Sequence, residues 1–377
     1  MFDELVKLGR TWRRLEDAMT QQKVAFANSL RGVAALLVLV AHYAGVFWFA
    51  RNAVSGLTGL PAVPASVVSP SLASWVTLSV IPFNLGPLGV ALFFLISGFV
   101  IPFAFQRQSR QQFLIGRIFR IWPVYFVCFA VGIVALFAAS LLFGTELPFN
   151  ASSALLHSIV GLREIAGSPH IDGILWTLEI EVKFYLLAFL IAPLFAAGST
   201  LSFCVPAAIF LACTAAAPMM PAAVLFSAPY LIFMFIGVTL NFLYRNKLGL
   251  GATCCVSASL AAMSYHVAGA QAVVAINYAL ALVIFTVAMA TSRFAPDLKI
   301  LRFLADISYP LYAVHGLAGY ALMTSLLHFG LAPWIALIIA AATAIGLAWA
   351  IHSTLEVWSI NFGRRVFNPQ PRLAMSA

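Results

Sequence analysis

Arg31 and His42 are ionisable groups in an otherwise apolar stretch, Asn28-Ser-Leu-Arg-Gly-Val-Ala-Ala-Leu-Leu-Val-Leu-Val-Ala-His42. Eleven steps of about 100° return the two side chains to nearly the same face of a helix, about 16 Å apart along its axis. A guanidinium at one end of such a wall can hold an anion through charge-assisted hydrogen bonds. An imidazole further along it can take or give a proton near neutral pH. Ionisable groups within membrane helices are costly and therefore mark candidate functional sites. The competing reading of His42 is an interhelical hydrogen bond with no chemistry.

The segment Trp176-Thr-Leu-Glu-Ile-Glu-Val-Lys-Phe-Tyr185 is the densest polar stretch in the apolar part of the chain. Glu179 and Lys183 are spaced i,i+4, which predicts an ion pair between them. Glu181 is then the unpaired acid on another face. In helices running in opposite directions, Glu181 lies about 10 Å below one surface and His42 about 16 Å above the other. In a hydrocarbon core about 30 Å thick these depths roughly coincide. A carboxylate beside an imidazole would orient the ring and favour its protonated form, as general-base chemistry requires. Trp176 and Tyr185 are candidates for interface anchoring or for contact with a sugar ring.

A third set is Arg117-Ile-Phe-Arg120-Ile-Trp-Pro123-Val-Tyr125. Arg117 and Arg120 share a helix face and can grip phosphates by bidentate hydrogen bonds, although topology alone also places arginines at such a position. Ser97 and Gly98 are small enough to let another helix approach closely. His157 and His170 read as surface residues, His315 as structural, and Glu356 as pairing with a basic residue. No Walker-type or Rossmann glycine pattern, HExxH or CxxC occurs, which disfavours ATP, NAD and zinc. The five cysteines lie in apolar runs without ligand spacing and read as small buried hydrophobes.

These groups require a scaffold of apolar helices. The 377 residues are 63% hydrophobic and 9% charged, against roughly 25% charged in a soluble domain, so the chain reads as an all-α, polytopic membrane bundle. Apolar runs near the spanning length of about 20 residues occur at 30–50, 86–105, 121–144, 174–197, 201–218, 223–244, 248–268, 271–291, 307–328 and 332–356, giving about ten spans. With the N-terminus in the cytoplasm, 18 of the 21 basic residues fall inside; the positive-inside rule then accounts for the net charge of +9 without nucleic acid. Both termini are expected to be cytoplasmic, and the long connections 51–85 and 145–173 to share the opposite side. Residues 1–27 form an N-terminal arm with helical apolar spacing, expected to lie on the membrane surface or to be a plain tail, with no cleavable signal peptide. Residues 28–356 form the transmembrane domain and 357–377 a cytoplasmic tail.

Taken in order, five segments resemble the integral-membrane acyltransferase-3 family. They are Asn28-Ser-Leu-Arg31 with His42, Phe93-Phe-Leu-Ile-Ser97-Gly98-Phe99, Arg117 to Tyr125, Trp176 to Tyr185, and Ile307-Ser308-Tyr309-Pro-Leu-Tyr312-Ala-Val-His315. The resemblance covers residues 28 to about 356 and implies O-acylation of a glycan or related acceptor at a cell surface. It implies acyl-CoA loaded from the cytoplasm as donor, with no metal, a catalytic His at His42, and Arg31, Arg117 and Arg120 near the CoA phosphates. The sequence departs from many relatives at Ala91 and Val182, where they carry acids, and at Trp358, where they carry proline. The chain stops at Ala377, without the hydrolase-type domain fused to some relatives, so transfer is expected to finish in the membrane domain or on a separate partner.

The resulting expectation is an acetyl-CoA-dependent O-acetyltransferase of the bacterial inner membrane, acting on exopolysaccharide, lipopolysaccharide or a lipid-linked saccharide among membrane lipids. His42 would be the general base, oriented by Glu181, with a covalent acyl-His as the alternative course. Trp176 and Tyr185 would face the acceptor. A transporter or flippase using His42 and Glu181 as a proton relay is the competing class; the internal repeats common among transporters are not evident. A non-catalytic scaffold would leave the matched depths of His42 and Glu181 unexplained.

Overall fold

The computed structural model describes residues 25–68, 71–72, 74–75, 84–269, 271–292 and 298–367. The N-terminal arm therefore lies outside the described residues up to residue 24. Among the described residues there is helix and no strand. Helices fall in all ten apolar runs, and among the described residues six helices are long and apolar enough to cross a membrane. An uninterrupted apolar segment in lipid must satisfy its own backbone groups, and the α-helix does so within one segment.

The first helix, α1, spans Ala25–Phe49. Its turn His42–Val46 is a π-helix, so the path from Arg31 to His42 runs along regular α-helix and the wider turn starts at the imidazole. Single π turns inside α-helices recur at functional sites. A short helix α2 (Arg51–Thr58) leads into the first long connection. Helix α3 (Leu85–Ala104) is capped by Asn84, whose side chain accepts from Gly86 N–H.

Helix α4 (Arg110–Phe143) starts eleven residues before the predicted 121, because Ser109 and Gln112 form a capping box. The box satisfies two end N–H groups reciprocally and fixes the start there. As a result Arg117 and Arg120 sit inside the helix, not in its approach.

The second long connection carries two short helices, α5 (Ala151–His157) and α6 (Leu162–Ile165). It meets the first long connection where Gly59, at φ +71°, lies against Glu146 and Pro148. The two connections thus share one side of the bundle. Helices α7 (Leu175–Leu190) and α8 (Ala192–Ala197) replace the single predicted span 174–197. They are followed by α9 (Cys204–Ala215), α10 (Ala222–Tyr244), α11 (Leu250–Val267) and α12 (Ala272–Ala290). Helix α13 (Lys299–His328) begins eight residues before the predicted 307. Helix α14 (Pro333–Ile351) continues through a π turn at His352–Glu356 into α15 (Val357–Phe367), so part of the predicted tail is helical.

Glycine sets the tightest helix crossing. A Cβ on Gly98 of α3 would fall 2.0 Å from Met234 O, and one on Gly237 of α10 would fall 2.4 Å from Leu95 O. The two helices touch backbone to backbone through facing glycines, the use of small residues expected at Ser97-Gly98. Gly319 of α13 serves a different end: the space its Cβ would need is filled by the Tyr43 hydroxyl, which reaches past it to donate to His315 O at 2.8 Å.

Two expectations about polar residues change. Cys204, Cys254 and Cys255 are exposed on outer helix faces, whereas Cys128 and Cys213 are buried; all five are free thiols. Glu356 is buried and pairs with His352 Nδ1 at 2.8 Å across the second π turn, so its basic partner is an imidazole four residues earlier.

Candidate active site

Arg31, Arg117 and Arg120 converge on one small cavity of about 60 Å³, lined by α1, α3, α4, α7 and α13. The capping of α4 brings Arg117 and Arg120 to it. Arg117 lies over the rings of Phe113 and Tyr185, 5.1 Å from each centroid, where aromatic faces hold the cation. Glu181 lines the same cavity. It accepts from Ser97 Oγ at 2.8 Å and from the Tyr185 hydroxyl. Three guanidiniums thus surround a single carboxylate, leaving an excess of positive charge. Buried or half-buried charge of this kind requires an anion, and guanidinium forks suit phosphate.

The cavity stops short of His42. Its far wall is Tyr312, whose hydroxyl lies 2.6 Å from Thr177 Oγ1 and whose ring meets Phe93 edge-on. Beyond Tyr312 stand His315, with ring centroids 5.8 Å apart, and then His42, 4.8 Å from His315. His42 is half-buried, and its Nδ1 lies 3.0 Å from the hydroxyl of buried Tyr320.

The structure therefore brings Arg31, Arg117, Arg120, Glu181 and Tyr185 together and does not bring Glu181 to His42. Similar depth on two helices did not make the pair adjacent: Glu181 faces the arginines, and His42 faces α13. Tyr185 is a buried partner of Glu181 and Arg117, not an interface anchor. Trp176 packs among Phe94, Phe226 and Tyr230. It lines a second cavity of about 330 Å³ with Arg163, Glu164, His170 and Lys183.

The predicted Glu179–Lys183 pair is replaced by two pairs with the preceding connection. Arg163 Nε donates to Glu179 Oε1 at 2.9 Å and Nη2 to Oε2, with Nη1 on Ser168 O at 2.9 Å. Lys183 Nζ donates to Glu164 and to Ser227 Oγ. A bidentate guanidinium satisfies a buried carboxylate better than a single ammonium on the same helix face, and the connection folds inward to supply it.

His157 is also buried, contrary to its surface reading. Its Nε2 accepts from Asp172 N–H at 3.3 Å. Asp172 caps α7 by accepting from the N–H of Ile174 and Leu175 at 2.9 and 2.8 Å, and accepts from the Tyr125 hydroxyl at 3.1 Å. Burial works to raise its carboxyl. The nearby His157 ring, its Nε2 3.8 Å from Oδ1, and the two N–H groups outweigh that and hold it below the usual carboxylate range.

Sequence reasoning missed Tyr320, Asp172 and Arg163. Only Arg163 left a signal: two acids and one lysine within a span leave a cation short, and few basic residues occupy the long connections.

The model of the acyltransferase domain in the acyltransferase-3 family matches residues 24–353, nearly the whole chain and every helix from α1 to α14. The protein belongs to this family. It is a multi-pass membrane protein of that family. Nodulation protein 10 of Rhizobium leguminosarum bv. viciae is 33% identical to it over 113 residues, 26% of this chain and 31% of that relative's length. No solved structure matches it. The family match spans both the arginine cavity and the imidazole cluster, so both belong to one domain.

Proposed function

We propose that this membrane acyltransferase moves an acyl group, acetyl in the simplest case, from acyl-CoA to a hydroxyl of a surface or lipid-linked glycan. The observation that carries the reading is the cavity with three arginines and one carboxylate at the base of the helix wall that leads to His42. Arg31, Arg117 and Arg120 would take the CoA phosphates from the cytoplasmic side, with both termini in the cytoplasm and the protein in the bacterial inner membrane. The thioester arm would extend past Tyr312 toward His42. An acceptor hydroxyl attacks the thioester carbonyl as His42 takes its proton. The C–O bond forms, the C–S bond breaks, and the CoA thiolate leaves and recovers the proton from the imidazolium.

Within this reading Glu181 belongs to donor binding. It holds Ser97 and Tyr185 in place and offsets one of three guanidinium charges. Trp176 and its aromatic neighbours border the second cavity, where a sugar ring could lie against an apolar face while Arg163 and Lys183 line the opposite wall.

The test compares O-acetyl signals in purified surface polysaccharide by proton NMR. A strain lacking the protein is complemented with wild type or with His42→Ala at equal membrane abundance. Acetyl signals restored by wild type alone are expected, since a positioned base contributes about 10²–10⁴-fold. Equal restoration by His42→Ala would remove His42 as the base and favour the transport reading.

A further inference from the structure

A base that receives a proton inside a membrane domain needs partners for the charge it acquires, and Glu181 is not among them. The titratable groups around His42 are Tyr320 and His315 of α13, Tyr43 of its own helix, and, at longer range, Asp172 ahead of α7. Tyr43 is committed elsewhere, donating its hydroxyl to His315 O. Asp172 is committed to the α7 cap, His157 and Tyr125.

Tyr320 and His315 differ from these. The Tyr320 hydroxyl lies 3.0 Å from His42 Nδ1, with the two rings nearly parallel at 7°. Whichever atom carries the hydrogen while the ring is neutral, both nitrogens of an imidazolium are donors. In that state Tyr320 Oη must accept.

The ring of His315 is fixed from behind: its Nδ1 lies 2.8 Å from Tyr312 O and 3.1 Å from Leu311 O. Two carbonyls can only accept, so Nδ1 carries the hydrogen and Nε2 the lone pair. That Nε2 is buried and has no hydrogen-bond partner among the described residues. A buried polar atom left unpaired costs stability and calls for a functional account. The ring nearest to it is His42, at 4.8 Å between centroids. At that spacing the His315 lone pair can offset charge on the His42 ring through space, while His42 Nε2 is left to exchange the proton with the acceptor and the leaving thiolate.

We propose that Tyr320 and His315 are the positioning residues of His42: Tyr320 Oη receives the Nδ1–H of the imidazolium, and the His315 Nε2 lone pair compensates its charge. The arrangement does for His42 what an acid does for a catalytic histidine elsewhere, with neutral groups that need no counter-charge in the apolar interior. Gly319 belongs to the same device, because it leaves room for the Tyr43 hydroxyl that anchors the α13 backbone at His315. The inference rests on the acyltransfer reading.

The test uses the full-length protein in proteoliposomes, with acetyl-CoA and with surface polysaccharide stripped of its O-acyl groups by alkali. Tyr320→Phe keeps the ring and removes the oxygen. His315→Asn keeps a donor for the Leu311 and Tyr312 carbonyls but is too short to place an acceptor where Nε2 lies, and His315→Gln returns an acceptor at similar reach. Tyr320→Phe and His315→Asn are expected to lower kcat about 10- to 100-fold with the acetyl-CoA KM unchanged, and His315→Gln to recover part of the loss. A kcat within twofold of wild type in both variants overturns the proposal, as does a raised acetyl-CoA KM at unchanged kcat. In either case an active wild type with an inactive His42→Ala leaves the acyltransfer reading standing. A wild type that transfers no acetyl overturns both.

Discussion

The arginine cavity and the imidazole cluster lie on one wall of α1 and handle charge in opposite ways. At the Arg31 end, charge is in excess: three guanidiniums meet one carboxylate in an open cavity. At the His42 end no acid makes contact among the described residues, and the imidazole is met by the hydroxyl and ring of Tyr320 and by a second imidazole. Tyr312, Thr177 and Phe93 stand between them. The difference teaches that anion capture and proton transfer place incompatible demands on one site. Phosphate needs unneutralised cations, which would oppose protonation of a nearby histidine. In the proposed acyl transfer, placing the two functions about 16 Å apart on one helix would keep the thioester within reach of both.

The two acids of α7 repeat this contrast. Glu179 is buried in a bidentate pair with Arg163, and Glu181, two residues on, faces the cavity with hydroxyl partners only. Glu179→Gln should have the largest effect, because it leaves Arg163 buried and uncompensated at a cost of about 3–5 kcal/mol. The measurement is thermal unfolding in detergent, with a clear fall in apparent Tm expected. An unchanged Tm would mean that the pair does not hold the connection to α7.

Arg31→Ala comes next. Losing a charge-assisted contact of about 1.5–3 kcal/mol should raise the acyl-CoA KM about 10- to 150-fold and leave kcat near wild type. A fall in kcat at constant KM would place Arg31 in the chemical step and dissolve the division between the two ends. Glu181→Gln should do least. Ser97 and Tyr185 can still donate to the amide oxygen, and the extra net positive charge favours phosphate, so kcat within about twofold and an acyl-CoA KM no higher than wild type are expected. A collapse of kcat would return Glu181 to the chemistry of His42.

Much of the scaffold was legible because its causes are local. A run of about 20 apolar residues must become a helix in lipid whatever surrounds it, and helices occupy all ten such runs. The small residues of Ser97-Gly98 foretold a close crossing, though not that Gly237 would be the facing position. Arg31, Arg117 and Arg120 were grouped by the family resemblance, and each lies in the first third of its helix. The arginines of different helices at the same level share few other places to go.

The partners of individual polar groups were not legible. Glu179 and Lys183 have the spacing of an intrahelical pair, yet both bond to the preceding connection. Sequence spacing says which residues share a face of a helix, but not what packs against that face. Glu181 and His42 have similar depths, but depth is one coordinate of three, and rotation about each helix axis decides who meets whom. The sequence by itself determined the helices, the apolar runs between which charges are confined, and the residue types available for chemistry. Only the tertiary structure decided that Glu181 joins the arginines and that His42 is met by Tyr320 and His315. Those choices follow from helix rotation and from backbone approach at glycines, which depend on the whole bundle packed together.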